Sequence, residues 1–509
     1  MEQSNLAKLI SNYGSKLWSM VSVFIFIPLY IKFLGSDNYG LIGFYALLLG
    51  IISFADSGMS SAVIKEFSQD SDSNYKYSIF RNLEKIYVII CLLICIIVFF
   101  SAGFIVDHWI SSKGISRENL IYYVRLIGVG VSTQLISSLY FGALFALNSQ
   151  VRSNLLQFVW SFSRSVLVFV LFVVFSRSIE IYFIWQIICN VLYILILRYF
   201  VIKQLRLSTL DKSLKKEFNT LPKHITSYIG GMIFIAIISA INIQADKLVT
   251  SSMFDLGTFG FYNIASSLAQ LPAILATPLI AFAFPLFSKF SNPEIAGNQS
   301  KNLVVFNKIF YFINLVVVTI TIGVFFYAKD ILLFWTKNAI PSSVFPKIVF
   351  DVKILIIGSF FLALQFPLYY LLLSKGKTRY TIYQGIVQIT IGVPLLYFCS
   401  KKFGLYGIPV PWLIINLLAF VYLFVVVQKK YLHFATKHFY TRIFVPPIAI
   451  TLLLNFLVYF WYYKDVSFSF IPFIAITSIL SLVISVMCFN KQFNNSIYSF
   501  KHLYNFPHE

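Results

Sequence analysis

The chain has 509 residues, a mean hydropathy of +0.81, 59% hydrophobic residues and only 12% charged ones. That excludes an ordinary soluble globular protein, because a soluble core must be covered by polar surface. The net charge of +21 is carried by short segments between apolar runs, which excludes a basic face for nucleic acid and follows the cytoplasmic enrichment of Lys and Arg in membrane proteins.

Apolar runs of about 20 residues, enough to cross a bilayer as a helix, recur along the whole chain. They are continuous rather than alternating, so helices and not a β-barrel are predicted. In order the spans are 13–33, 39–64, 83–105, 119–147, 153–176, 179–201, 223–252, 256–288, 304–327, 348–374, 378–398, 404–428, 441–461 and 468–489. Spans 1–6 make one lobe (1–205) and spans 7–12 a second (223–430). A charged cytoplasmic linker, 206–222, joins them, and 431–509 adds two further helices and a cytoplasmic tail. The predicted fold is an all-α polytopic membrane protein of about 14 transmembrane helices. With the N-terminus inside, the inner segments hold 26 Lys and Arg residues against 12 in the outer ones, which places both termini in the cytoplasm. The first span is too long for a cleaved signal peptide and lacks a small-residue cleavage site.

No segment between spans exceeds about 20 residues, well short of the ~50 that a folded domain requires. A soluble catalytic or nucleotide-binding domain is therefore not expected, nor a cofactor, nor enzymatic activity. Cys91, Cys95, Cys189, Cys399 and Cys488 lie in or at the ends of apolar runs, without zinc spacing, and read as small buried hydrophobes. Pro272, Pro278 and Pro285 cluster in span 8 and predict a bent helix.

An ion placed in hydrocarbon costs about 2.5–3.5 kcal/mol, so intramembrane charges mark a protein interior or a water-filled cavity. In span 1, Asn12, Ser15, Ser19 and Ser22 share a face, with Lys16 beside them. Asp56 lies in span 2, either as a coupling carboxylate or as a partner for Arg164. Span 4 carries Arg125 near its outer end, then Ser132, Gln134, Ser137 and Ser138. In span 5, Asn154, Gln157, Ser161 and Arg164 form one stripe, with Arg164 close to mid-membrane. In span 7, Asn242, Asp246 and Thr250 share one face, and Gln244, Lys247 and Ser251 another. Asp246 and Lys247 are adjacent, so they are expected to point about 100° apart and not to pair with each other. Lys16, Arg125, Arg164 and Lys247 outnumber Asp56 and Asp246, and a cationic cavity suits an anionic substrate such as a phosphate. Asn263, Gln270, Gln365, Gln384 and Gln388 add neutral hydrogen-bonding groups of the kind that sugars use. No metal-ligand set is present.

A weak internal repeat runs through the two halves. At an offset of 220 positions, Tyr39-Gly40-Leu41 aligns with Phe259-Gly260-Phe261, and Ser22 with Asn242. Each element follows an apolar span and a short loop, LGSDNYG in the first half and FDLGTFG in the second. Repeated halves are a signature of secondary transporters.

NYGSKLWSMVSVFIFIPLYIKFLGSDNYGLIGFYALLLGIISFADSGM and QADKLVTSSMFDLGTFGFYNIASSLAQL resemble the corresponding segments of Wzx-type polysaccharide flippases. Those belong to the multidrug/oligosaccharidyl-lipid/polysaccharide (MOP) exporter superfamily. The resemblance implies two six-helix lobes around a central cavity and alternating access. It implies transfer of an undecaprenyl-diphosphate-linked oligosaccharide from the inner to the outer leaflet of the bacterial plasma membrane. Membrane lipids and, further along, glycan polymerase machinery are the implied partners. Charged cavity residues would matter, which falls here on Lys16, Asp56, Arg125, Arg164, Asp246 and Lys247. The two extra spans resemble lipid II flippases instead. A multidrug exporter would want an acidic cavity, whereas span 1 has Lys16 and no carboxylate. A membrane glycan polymerase or ligase would want larger outer loops than these.

Overall fold

A computed structural model describes the chain except residues 1–4, 69–71, 148, 208–218, 292–298, 338, 433–435, 463–478, 482 and 485–509. The described residues are almost wholly helical. In order, α1 is Asn5–Leu34, α2 Ser36–Ser68, α3 Ser73–His108, α4 Arg117–Ala146, α5 Gln150–Phe162, α6 Val168–Val174, α7 Ile179–Leu207 and α8 Lys223–Met253. Then follow α9 Leu256–Ala269, α10 Leu271–Ser291, α11 Gln299–Thr336, α12 Phe345–Ser374, α13 Arg379–Phe403, α14 Pro409–Val427, α15 Thr436–Phe439 and α16 Val445–Tyr462. Eleven helical segments among the described residues are long and apolar enough to cross a membrane, and Val21–Leu34 of α1 is a shorter apolar stretch. The linker expected at 206–222 and the last expected span, 468–489, fall largely outside the described residues.

Why these helices belong in lipid is visible on α3. Its central window has a mean hydropathy of 3.2, yet only 6% of that window is buried. Leu92, Leu93, Ile97 and Phe100 all face outward. Water would penalise that much bare apolar surface by about 25 cal/mol per Å², whereas a bilayer does not.

Contacts divide the chain into two compact units, Met1–Asn263 and Ile264–Glu509. In the first, α2 packs along α4 and α8, α3 along α4, and α4 along α7. Its core runs through Phe67, Phe80, Leu83, Tyr87, Leu139 and Leu197. In the second, α12 packs on α10, α11 and α14, around Phe306, Phe310, Leu364, Leu368 and Leu423.

The turn between α1 and α2 is one residue long. Gly35 takes φ +84° and its N–H donates to the Ile31 carbonyl at 2.9 Å, a left-handed helix stop that favours glycine. Just beyond it, the two repeat-related glycines meet. A side chain on Gly40 would overlap the Leu256 carbonyl, and a Cβ on Gly260 would lie 3.1 Å from the Gly40 nitrogen. The α3–α4 loop closes over the same end of the unit. Asp37 accepts from the Gly114 N–H at 2.8 Å and from the Ser112 hydroxyl, while the Leu256 N–H donates to the Ser111 carbonyl at 2.8 Å.

Candidate functional site

The stripe predicted on span 5 leads to the site. Between α5 and α6 the helix widens into a π turn, Ser163–Leu167, which contains Arg164. A π turn carries one extra residue and loosens the carbonyl ladder, and such turns are frequent at functional sites. Here α7 takes up the loosened groups. The Trp185 indole N–H donates to the Ser163 carbonyl at 2.9 Å, and Gln186 Nε2 donates to the Arg164 carbonyl at 3.2 Å. Gln186 is buried, and its Oε1 accepts in turn from Arg164 Nε.

Four helices and the π turn thus hold one guanidinium. Arg164 Nη1 donates to Gln134 Oε1 of α4 at 2.9 Å, and Nη2 donates to Tyr45 Oη of α2 at 3.4 Å. Its plane lies over the Trp160 ring of α5, 4.5 Å from the centroid. Trp160 is itself fixed, donating to Asn190 Oδ1 at 3.1 Å. A guanidinium has five N–H donors, so this clamp leaves two free. No carboxylate lies within 4 Å of it among the described residues.

Beside the clamp is a cavity of about 250 Å³ within the first unit. Asp56, Gln134, Ser137, Gln157, Trp160 and Tyr193 are among its lining residues. Asp56 is buried and accepts from the Tyr87 hydroxyl. The open alternative of an Asp56–Arg164 ion pair is therefore not realised: Asp56 lines the cavity, Arg164 lies behind two of its lining residues, Gln134 and Trp160, and each is held by neutral partners. The cavity offers a carboxylate and several hydroxyls and amides, with the Arg164 cation held behind Gln134 and Trp160, a set that can bind a polar group without reacting with it.

The other expected site residues are dispersed. The Lys16 side chain falls outside the described residues. Arg125 is exposed and stacks on Phe99 at 4.4 Å, away from the clamp. Asn154 is buried on α5, and Asn242 donates to the Ile238 carbonyl of its own helix at 3.1 Å. Gln244 lies against the α2 backbone at Gly50, where a Cβ would strike its amide, and Asn263 likewise lies over Gly43. Gln270 is exposed. Gln365 sits in the second unit, accepting from Gln384 at 2.6 Å and donating to the Asn416 carbonyl at 3.2 Å, a link between α12, α13 and α14.

One expectation is corrected. Asp246 and Lys247 do pair, with Lys247 Nζ 3.6 Å from Asp246 Oδ1, and both side chains are nearly buried. The two Cβ atoms diverge, but the four-carbon lysine stem swings the charge back. Tyr262 also donates to Asp246 Oδ2, at 2.7 Å.

Three buried acidic groups were not singled out from sequence. Glu84 of α3 binds Arg198 Nε at 2.7 Å, the Tyr140 hydroxyl at 2.8 Å, and Arg81. Glu66 lies 3.6 Å from His224. Asp351 of α12 is fully buried, with no donor to either oxygen among the described residues. Helical spacing marks Glu84 and Arg81 as a local pair, but nothing in the sequence marks Asp351.

The arrangement defines a polytopic helical membrane protein with a polar cavity inside its first unit, and comparisons with solved structures agree on the fold. A lipid II flippase, MurJ, in an inward closed conformation matches over 96% of this chain and 100% of its own, with a TM-score of 0.73 and 17% identity. An inward-facing multidrug resistance MATE family transporter of the MOP superfamily matches over 84% of this chain and 100% of its own, with a TM-score of 0.64 and 14% identity. The fold is thus shared with these two transporters. By sequence the chain belongs to the polysaccharide biosynthesis protein family, which matches residues 6–291. A putative O-antigen transporter of Shigella flexneri is 20% identical over 388 residues, covering 74% of this chain and 87% of that protein.

Proposed function

We propose that this multi-pass membrane protein is a flippase that carries an undecaprenyl-diphosphate-linked oligosaccharide from the inner to the outer leaflet of the bacterial plasma membrane, by alternating access. The observation that carries the reading is Arg164. A cation held by Gln134, Gln186, Tyr45 and Trp160, and opposed by no carboxylate within 4 Å among the described residues, is a seat for a diphosphate. Gln157 and the serines of the adjoining cavity offer hydrogen bonds to sugar hydroxyls. Family membership and the O-antigen transporter relative support a glycan as cargo. Translocation makes and breaks no covalent bond, so the protein acts as a carrier and not as an enzyme. Asp56 or Asp246 couples the cycle to an ion or to the membrane potential.

The test is complementation of a strain deleted for this gene, reading the lipid-linked glycan on each face of the inner membrane. Deletion traps the glycan inside, wild type restores transfer, and Arg164→Ala at matched membrane level does not. Normal transfer in the deletion strain, with no second flippase present, sinks the reading. Restored transfer by a lipid II flippase alone would move the substrate to lipid II.

A further inference from the structure

A second feature lies in the other unit, where α13 begins and α14 ends. Arg379 Nη2 donates to the Tyr380 hydroxyl at 3.0 Å, and Lys430 Nζ donates to the same oxygen at 3.3 Å. The two cationic nitrogens therefore stand no further apart than the sum of those distances. Both also lie over the Tyr380 ring, at 4.9 and 5.0 Å from its centroid. A neutral phenol orients two like charges but does not neutralise them. No carboxylate is within 4 Å of either among the described residues, and the sequence holds no Asp or Glu between Asp351 and Asp465.

From this point a groove of about 240 Å³ runs between the two helices. Tyr383, Val387 and Ile391 wall it on α13, and Leu418 and Tyr422 on α14. Tyr383 stands four residues after Arg379, about 6 Å along the helix axis. Gln384 and Gln388 are the amides of its lining, and Gln384 Nε2 donates to Gln365 Oε1 at 2.6 Å. Tyr383 and Val387 are 62% and 53% exposed, so the groove opens sideways onto the apolar surface.

We propose that this is a binding site for an anionic phospholipid, with Arg379 and Lys430 holding the headgroup phosphate and the α13–α14 groove taking an acyl chain. Charge complementarity identifies the head: two adjacent cations without a counter-ion match a phosphodiester oxygen pair. The lateral opening identifies the source, because the ligand reaches it from the bilayer. Tyr380 and Tyr383 occupy the depth at which aromatic side chains sit among headgroups. The site is independent of the flippase reading, since it lies in the other unit and involves no cargo.

The experiment is native mass spectrometry of the full-length protein in detergent, titrated with phosphatidylglycerol or phosphatidylethanolamine. Wild type retains one phosphatidylglycerol more tightly than phosphatidylethanolamine. Arg379→Ala with Lys430→Ala lowers that affinity about 5-fold per cation, at roughly 1 kcal/mol each. Arg379→Lys with Lys430→Arg keeps the preference. Val387→Trp, which fills the groove and leaves both cations, also loses the lipid. Equal binding of the two lipids, or unchanged binding in both the double alanine and the Val387→Trp proteins, overturns the proposal. So does displacement of the lipid by millimolar inorganic phosphate, which would make this a soluble-anion site. Displacement by a ten-fold lower concentration of undecaprenyl phosphate would assign the groove to the polyprenyl carrier and overturn it too.

Discussion

Arg164 is constrained in direction as well as in charge. Its Nε, Nη1 and Nη2 reach Gln186, Gln134 and Tyr45 on three separate helices, while its face rests on Trp160. A lysine supplies the charge but not a planar fork, so Arg164→Lys is expected to transport as poorly as Arg164→Ala in the leaflet assay. Rescue by lysine would mean that charge alone is used. Asp351 poses the opposite case, a carboxylate with no donor to either oxygen among the described residues. Burying an unpaired charge costs more than burying a neutral amide of the same shape. Asp351→Asn is therefore expected to raise the thermal midpoint in detergent; a fall of several degrees would show that the carboxylate is bonded in solution. Legibility differs sharply between these two residues. The i, i+3, i+7, i+10 stripe displayed Arg164, because a charge deep in an apolar run has few innocent explanations. Asp351 lies near the end of a span, where acidic residues normally reach water, and only the packing of α12 reveals that it does not.

At the level of elements, the π turn converts a sequence stripe into a clamp. Regular α-helix would bond the Ser163 and Arg164 carbonyls within α5, leaving Trp185 and Gln186 without acceptors. Deleting Val166 removes the extra residue. Both flanks retain their aromatic packing, Trp18 on Phe158 and Phe162 before the turn and Phe169 on Phe26 and Tyr30 after it. The expected result is normal membrane level and thermal midpoint with transport lost. If the deletion instead transports normally, the π turn is incidental to the site. Sequence periodicity could not locate this turn, since its signal is tertiary: two side chains on α7 waiting for two carbonyls. By contrast, the Gly40–Gly260 approach brings together the two glycines that the repeat at offset 220 aligns, where the absence of a side chain lets the backbones come close. The Asp246–Lys247 pair shows the limit of helical-wheel geometry, which fixes Cβ directions and says little about where a long side chain ends.

For the whole molecule, hydropathy fixed the helical membrane class, and the distribution of Lys and Arg makes a statement about orientation that can be checked at single loops. The α3–α4 loop carries Lys113, whose side chain is 86% exposed, and that loop lies at the end where α1 turns into α2. The α12–α13 turn carries Lys375 and Lys377 and leads into Arg379. With 26 basic residues predicted inside against 12 outside, Lys113 belongs to the outer face and Lys377 to the cytoplasm. Cysteine placed singly at each position, in a protein whose five native cysteines are replaced, distinguishes the two. Lys113→Cys should react with a membrane-impermeant maleimide on intact spheroplasts, and Lys377→Cys only after permeabilisation. The reverse pattern would invert the molecule and place the Arg379–Lys430 pair in the outer leaflet. It would also reverse which end of the first unit's cavity faces the cytoplasm, so the proposed direction of glycan transfer would have to be argued again from the opposite side. Labelling of both positions in intact cells would mean that one of the helices between them does not cross the membrane, against the length and hydropathy of each.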